Sequence, residues 1–392
     1  MEKTPNAMRR HVVLLGDANA GKSTLFNALT GQDRAIVSPR AGTTTDPVSA
    51  AMELIPYGPV VLVDTAGLHD KSELGSKRLK KTEAMRRRAD AALYVADVTC
   101  FDREAYRRFT LHNLPHILVF TKCDIAGCLA ASLAKEFDSA VFFYGDAAPV
   151  REKLVSLLQS LNQESETLLG DLLPSGSNVV MVVPVDSGAP KGRLILPQVQ
   201  LLRDCLDHGI KCFVTREIEL ESAMQSLSPV NLVVTDSQAF GYVNRVLPGD
   251  IPLTSFSMLL ARQKGNFRQL LEGADAIPEL PENANILMLE GCTHNHTHED
   301  IGKVKLPALL EKKTGKRLRF DDYSGYDFPE SLDKYHMAIQ CGCCMLNNRE
   351  IMSRLEALAN KGIPVTNYGI ALAWLNGILE RCCEIFNAEG KA

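Results

Sequence analysis

Three cysteines, Cys292, Cys341 and Cys344, have the types and spacing of metal ligands. Two residues separate Cys341 from Cys344, so both sulfurs can face one point, with Gly342 relieving the turn. Cys292 lies 49 positions upstream of Cys341 and opens a run that ends at Glu299 and Asp300 and holds three histidines, His294 among them. Three soft thiolates suit an iron–sulfur cluster or zinc and leave the fourth position to another group. Glu299 or His294 is the candidate for that position, with His336 as a further one. Cys343 is expected to point elsewhere. Cys205, Cys212, Cys382 and Cys383 fall in helical or strand patterns and read as core thiols rather than ligands.

A second chemistry is written near the N-terminus. An apolar strand over residues 12–15 runs into Gly16, and Asn19, Ala20, Gly21, Lys22, Ser23 and Thr24 complete a phosphate-binding P-loop. In such a loop backbone N–H groups close around the phosphates, Lys22 reaches the β- and γ-oxygens, and Ser23 offers a hydroxyl to Mg²⁺ at a helix start. Three later stretches fall in the order a GTPase needs. Thr44, in a Pro- and Gly-punctuated loop, can reach Mg²⁺ and the γ-phosphate. Asp64 ends an apolar strand and would hold the metal through water, and the Gly67 N–H would sense the γ-phosphate. Thr121, Lys122 and Asp124 end a further strand, where Asp124 can accept both guanine N–H donors and so select guanine nucleotides.

These loops need elements to position them, and the chain is long enough to supply several. At 392 residues it exceeds one core, and three domains are read: 1–165 for GTP binding, 176–264 as a small parallel βα domain, and 268–392 carrying the cysteines. The fold class is therefore α/β throughout, a P-loop GTP-binding domain, which resembles the Ras-like fold, followed by two small parallel-sheet βα domains. Linkers are read near residues 163–178 and from about Gly265 through Pro278 and Pro281. Strands over 285–289 and 337–340 would end just before Cys292 and at Cys341, so both cysteine loops would share the C-terminal edge of one sheet. Helices are read over 349–358 and 370–385. The stretch 186–192 resembles a phosphate loop but lacks the Gly-Lys-Ser/Thr of a helix start. A net charge of −4 argues against nucleic acid as a partner. No apolar run approaches a membrane span, no signal core opens the chain, and paired thiols without a disulfide framework point to the cytoplasm.

The N-terminal part resembles the bacterial Ras-like GTPases of tRNA modification and ribosome assembly, which carry Asn at the place of Asn19 and Gly-x-Thr in the switch. That resemblance implies a K⁺ ion bound partly by Asn19. Two positions depart from it. Thr121 replaces the Asn whose side chain braces the P-loop, and the Ser-Ala of the last base-binding loop is missing from residues 141–147. Leu68 stands where Ras-type enzymes orient water with Gln, so hydrolysis is expected to be slow. The whole chain resembles the FeFe-hydrogenase maturation GTPases, the HydF family, through the P-loop, residues 189–199, and Cys-x-His followed after 46 residues by Cys-Gly-x-Cys. Gln340 stands where that family has His before the Cys-x-x-Cys. The resemblance implies GTP and GDP, Mg²⁺, a middle domain that forms a homodimer and a 4Fe-4S cluster on Cys292, Cys341 and Cys344. It further implies a scaffold that receives a transient di-iron precursor from two radical-SAM hydrogenase maturases and delivers it to apo FeFe-hydrogenase. A ribosome- or tRNA-directed regulatory GTPase with a structural zinc site is the alternative, and a stand-alone redox enzyme would need a dinucleotide fingerprint that is missing.

Overall fold

The computed structural model describes residues 8–31, 48–65, 75–161, 167–185, 194–291 and 301–387. The chain forms two compact units, Met1–Glu164 and Ser165–Ala392. In the first, six strands are β1 Arg10–Leu15, β2 Val48–Leu54, β3 Gly58–Asp64, β4 Ala91–Asp97, β5 His116–Thr121 and β6 Val141–Phe142. They lie in the order β2-β3-β1-β4-β5-β6, parallel except for β2, which runs antiparallel to β3. Every residue of β4 is buried, as a parallel strand covered on both faces requires. Leu14, Leu93 and Val119 pack into one face of the sheet and Leu15, Tyr94 and Phe120 into the other. The strand β2 is not legible in the sequence, because at the sheet edge only Ala50 and Leu54 of its seven residues are buried.

The second unit holds two four-stranded parallel sheets. One is built from β7 Asn178–Val182, β8 Lys211–Thr215, β9 Leu232–Thr235 and β10 Leu253–Ser255, in the order β10-β9-β7-β8. The other uses β11 Ala284–Glu290, β12 Leu318–Ser324, β13 Met337–Gln340 and β14 Val365–Asn367, in the order β12-β11-β13-β14. One continuous core joins them, running from Val180 and Val233 through Leu259 and Leu260 to Ile286, Ile339 and Ala371.

Two sequence expectations change here. The stretch read as a linker after Gly265 contains a helix, Phe267–Ala274, whose N-cap Asn266 accepts the N–H of Gln269. Its Leu270 and Ala274, with Ile277 beyond, repeat at three to four residues and bury one face, a period hidden behind the prolines that follow. The span read as one helix over 370–385 is two, Tyr368–Leu375 and Leu379–Asn387, divided where Gly377 takes a φ of 68°. The first of these is buried from Tyr368 to Ala373 and so is core, not amphipathic cover. Strand β12 escaped notice because only Leu318 of its seven residues is buried. Among the described residues no helix is long and apolar enough to cross a membrane.

Helix Phe267–Ala274 lies so close to β14 that a Cβ on Gly273 would stand 1.9 Å from the Val365 carbonyl oxygen. Backbone cannot yield as a side chain does. Gly273→Ala should therefore cost the second unit roughly 1–3 kcal/mol, seen as a lower urea midpoint at unchanged slope, and an unchanged midpoint would contradict this packing.

Candidate functional site

The nucleotide loops of the first unit gather at the C-terminal ends of its parallel strands. Gly16 follows β1 with a φ of 142°, and a Cβ there would stand 2.0 Å from the Val95 carbonyl oxygen of β4. Only glycine fits. Gly21 is the left-handed N-cap of helix Lys22–Thr30, which directs the helix N-terminus at the loop, and Asn19 is also left-handed. Lys22 is buried and its Nζ donates to the carbonyl oxygens of Gly16 at 3.1 Å and Asp17 at 2.6 Å. Burial lowers this ammonium to about 8, against the opposing pull of Asp64 and Asp17. An anion arriving in the loop would restore it.

Asp64 ends β3 fully buried, and its Oδ2 accepts the Ser23 hydroxyl at 2.6 Å. Burial raises its carboxyl above the ordinary value, against Ser23 and Lys22. Its other oxygen, Oδ1, is buried with no partner among the described residues. A carboxylate joined to a P-loop hydroxyl, with one oxygen unpaired, fits a Mg²⁺ site, with Ser23 and Asp64 as the residues beside it. Thr65, not singled out by sequence, bonds the Leu14 carbonyl oxygen at 2.7 Å and ties β3 to β1 at this edge. Thr44 and Gly67 lie outside the described residues.

At the end of β5, Thr121 supplies a brace of its own. Its hydroxyl donates to the Ala20 carbonyl oxygen at 2.7 Å and lies 3.2 Å from that of Ala96. Lys122 takes a φ of 56° and pairs with Asp97 at 2.5 Å, leaving Asp124 exposed beyond it. Burial pushes the Asp97 carboxyl up, but the bonds from Lys122 and Thr99 outweigh it and leave it lowered. Asp97 was missed by sequence reading; its signal was its place directly after an apolar strand.

In the second unit, β11 and β13 run parallel with Leu289 opposite Gln340, and the Cys341 N–H donates to the Leu289 carbonyl oxygen at 2.8 Å. Cys341 Sγ accepts the N–H of Gly291 at 2.9 Å and of Cys343 at 3.2 Å. The hydrogen bond with Cys343 and these two amides hold the Cys341 thiol below its ordinary value, against burial, while burial raises Cys344 to about 11. A sulfur that accepts two backbone N–H groups is set up as a thiolate, which fits a soft metal or iron–sulfur ligand. Cys292, the residue after Gly291, lies outside the described residues, as do His294 and Glu299, and among the described residues no three such groups cluster. Cys343 is buried with its sulfur 4.0 Å from that of Cys341, closer than expected for a residue pointing elsewhere. His336 sits at the other end of β13, where its Nδ1 accepts the Asn285 N–H at 3.1 Å, so it does not face the cysteines. Gln340 is buried at the strand end. Cys205, Cys382 and Cys383 are buried in helices, as core thiols should be.

Family models match consecutive parts of the chain: a 50S ribosome-binding GTPase over residues 11–122, the hydrogen maturase F dimerization domain over 168–265, and the hydrogen maturase F tetramerization domain over 268–385. The chain is similar to the probable tRNA modification GTPase MnmE of Cyanidioschyzon merolae, 39% identical over 128 residues, which are 31% of this chain and 28% of that protein. It is also similar to MnmE of Dichelobacter nodosus, 36% identical over 168 residues, or 40% of this chain and 36% of that one. Among solved structures, Aquifex aeolicus Era bound to GDP·AlF₄⁻ shares 19% identity at a TM-score of 0.34, covering 60% of this chain and 97% of its own. Fold, P-loop and the GTPase family model define a Ras-like GTPase carrying further parallel-sheet domains. With both maturase domains following the GTPase, the chain belongs to the hydrogen maturase F (HydF) family.

The Thr121 brace gives a direct test. Thr121→Val keeps the shape and removes the hydroxyl, at a cost of about 1 kcal/mol, so GDP should bind roughly fivefold more weakly in a fluorescent-nucleotide titration. Unchanged affinity would mean the P-loop does not need the brace.

Proposed function

We propose that this chain is a GTP-driven scaffold for FeFe-hydrogenase maturation, which accepts a di-iron precursor from two radical-SAM maturases and hands it to the apo-hydrogenase. The observation that carries this reading is the pairing of β11 with β13, which sets Gly291, the residue before Cys292, against the Cys341 sulfur. Cys292, Cys341 and Cys344 would hold a 4Fe-4S cluster, with His294 or Glu299 as the fourth group. When bound, the cluster would offer one iron whose non-thiolate ligand is displaceable, a docking point for the precursor. In the GTPase domain, Lys22 and the P-loop amides bind the phosphates, Ser23, Thr44 and Asp64 place Mg²⁺, the Gly67 N–H senses the γ-phosphate, and Asp124 selects guanine. Asn19 would help to hold K⁺ near the phosphates. Ligand thiols that must stay reduced are consistent with work in the cytoplasm.

The middle sheet supplies the homodimer. Its edge strand β8 pairs with β7 on one side and, among the described residues, with no strand on the other, and it carries exposed Phe213 and Val214, with exposed Ile218 just beyond. Such an edge invites a second copy across a twofold axis. The C-terminal match to a tetramerization domain supports association of such dimers into a larger assembly.

Similarity to tRNA modification GTPases is confined to the N-terminal part and favours, as second reading, a regulatory GTPase with a structural zinc site. Metal analysis separates the two. Anaerobically purified protein should hold about four irons with matching sulfide per chain, and an EPR signal on reduction; stoichiometric zinc without iron would remove the scaffold reading. Cys341→Ser and Cys344→Ser should each lose the iron and hydrogenase activation while GTP turnover stays near wild type, since the nucleotide loops lie in the other unit.

GTP turnover should rise when K⁺ replaces Na⁺, and Asp124→Asn should transfer preference to xanthosine nucleotides; equal rates in both salts, or an unaltered base preference, would refute the corresponding role. For the dimer, Val214→Lys places a charge on the β8 edge and should sediment as a monomer at micromolar concentration. A persistent dimer would move the interface elsewhere.

A further inference from the structure

Lys264 is the last residue of helix Phe256–Lys264 and is buried without an ion-pair partner among the described residues. Its Nζ donates to three carbonyl oxygens of the cysteine loop, those of Cys343 at 3.4 Å, Cys344 at 3.3 Å and Leu346 at 3.3 Å. An ammonium has three N–H donors and no acceptor, so these three carbonyls match its whole capacity. A loop that turns three carbonyl oxygens onto one cation is fixed in shape over residues 343–346. In the same loop the Cys343 N–H is left to donate to Cys341 Sγ at 3.2 Å. The helix is also tied to the neighbouring strand end, where Asn367 Nδ2 donates to the Ser257 carbonyl oxygen at 3.0 Å. A buried charge normally costs stability unless it is compensated, and the carbonyl dipoles alone compensate it incompletely. Negative charge on the adjacent thiolates would complete the compensation.

We propose that Lys264 is a positioning residue for the cysteine ligands, a buried cation that fixes the Cys341–Leu346 backbone and sets positive charge behind the thiolates. The proposal deepens the iron–sulfur reading given above and rests on it for the metal-bound state. It also assigns helix Phe256–Lys264, which precedes the cysteine-bearing segment in the chain, a part in building the site. Partners of metal ligands of this kind typically change metal retention by about tenfold or more when removed.

The test compares the full-length wild-type chain with Lys264→Met, which keeps the stem and removes the charge, and Lys264→Arg, which keeps the charge. With iron bound, the Met protein should release it to a chelator about tenfold faster than wild type. Its midpoint potential, followed by EPR, should move to more negative values, because a nearby cation stabilises the reduced cluster. The Arg protein should recover most of both properties. Iron retention and potential equal to wild type in the Met protein would overturn the proposal, and so would equal losses in the Met and Arg proteins, which would mark a packing role only. If wild type itself holds no iron, the cluster reading fails, and positioning is decided on the metal-free chain. There the amides of residues 343–346 should exchange about tenfold faster in Lys264→Met than in wild type, and unchanged exchange would overturn it. Should the Met protein fail to fold, Lys264→Gln replaces it with the same expected losses.

Discussion

The hydrogen bond from the Cys341 N–H to the Leu289 carbonyl oxygen is one rung of a parallel ladder, and the chemistry of the second unit depends on that ladder. Parallel neighbours must be joined by long crossovers, so residues far apart in the chain finish at the same edge of the sheet. Leu289, Gln340 and Asn367 stand abreast in β11, β13 and β14. The loops that leave those strands therefore start within a few ångströms of one another. An antiparallel pairing would have sent Gly291 and Cys341 to opposite ends.

The GTPase unit uses the same rule with different chemistry. Asp64, Asp97 and Thr121 close three parallel strands and Gly16 follows a fourth, so all four lie at one edge. Lys22 and Asp64 at this edge are buried ionisable groups shifted away from their ordinary values by desolvation, and among the described residues Asp64 Oδ1 has no partner. Phosphate and a divalent cation are the charge complement of that arrangement. Thr121 shows that a hydroxyl at that point reaches the P-loop, since it donates to the Ala20 carbonyl oxygen.

Within the second unit the two sheets are not separable by packing. Their core is continuous, and both Lys264 and Ser257 of one helix bond the end of the other sheet. A change at the sheet edge β8 and a change at the cysteine loop thus act on one packed body.

The sequence by itself determined the GTPase class and the class of fold, and it marked the residues to look at for chemistry. The P-loop, Asp64, Thr121 to Asp124 and the cysteines are short motifs whose residue types dictate their use, and long apolar runs such as residues 91–96 are unambiguous because parallel strands are buried on both faces. Edge strands β2 and β12 were not legible, since an edge buries only one or two side chains and leaves no period to read. Nor was the helix Phe267–Ala274, whose apolar period is interrupted by prolines soon after it ends. Only the tertiary structure decided that His336 faces away from the cysteines, that Cys343 lies against Cys341, that Asp97 pairs with Lys122 and that Lys264 reaches the carbonyls of the cysteine loop. The reason is common to all four: each depends on which end of which strand, or which helix, the folded backbone brings alongside, and a contact between distant segments leaves no mark in local composition.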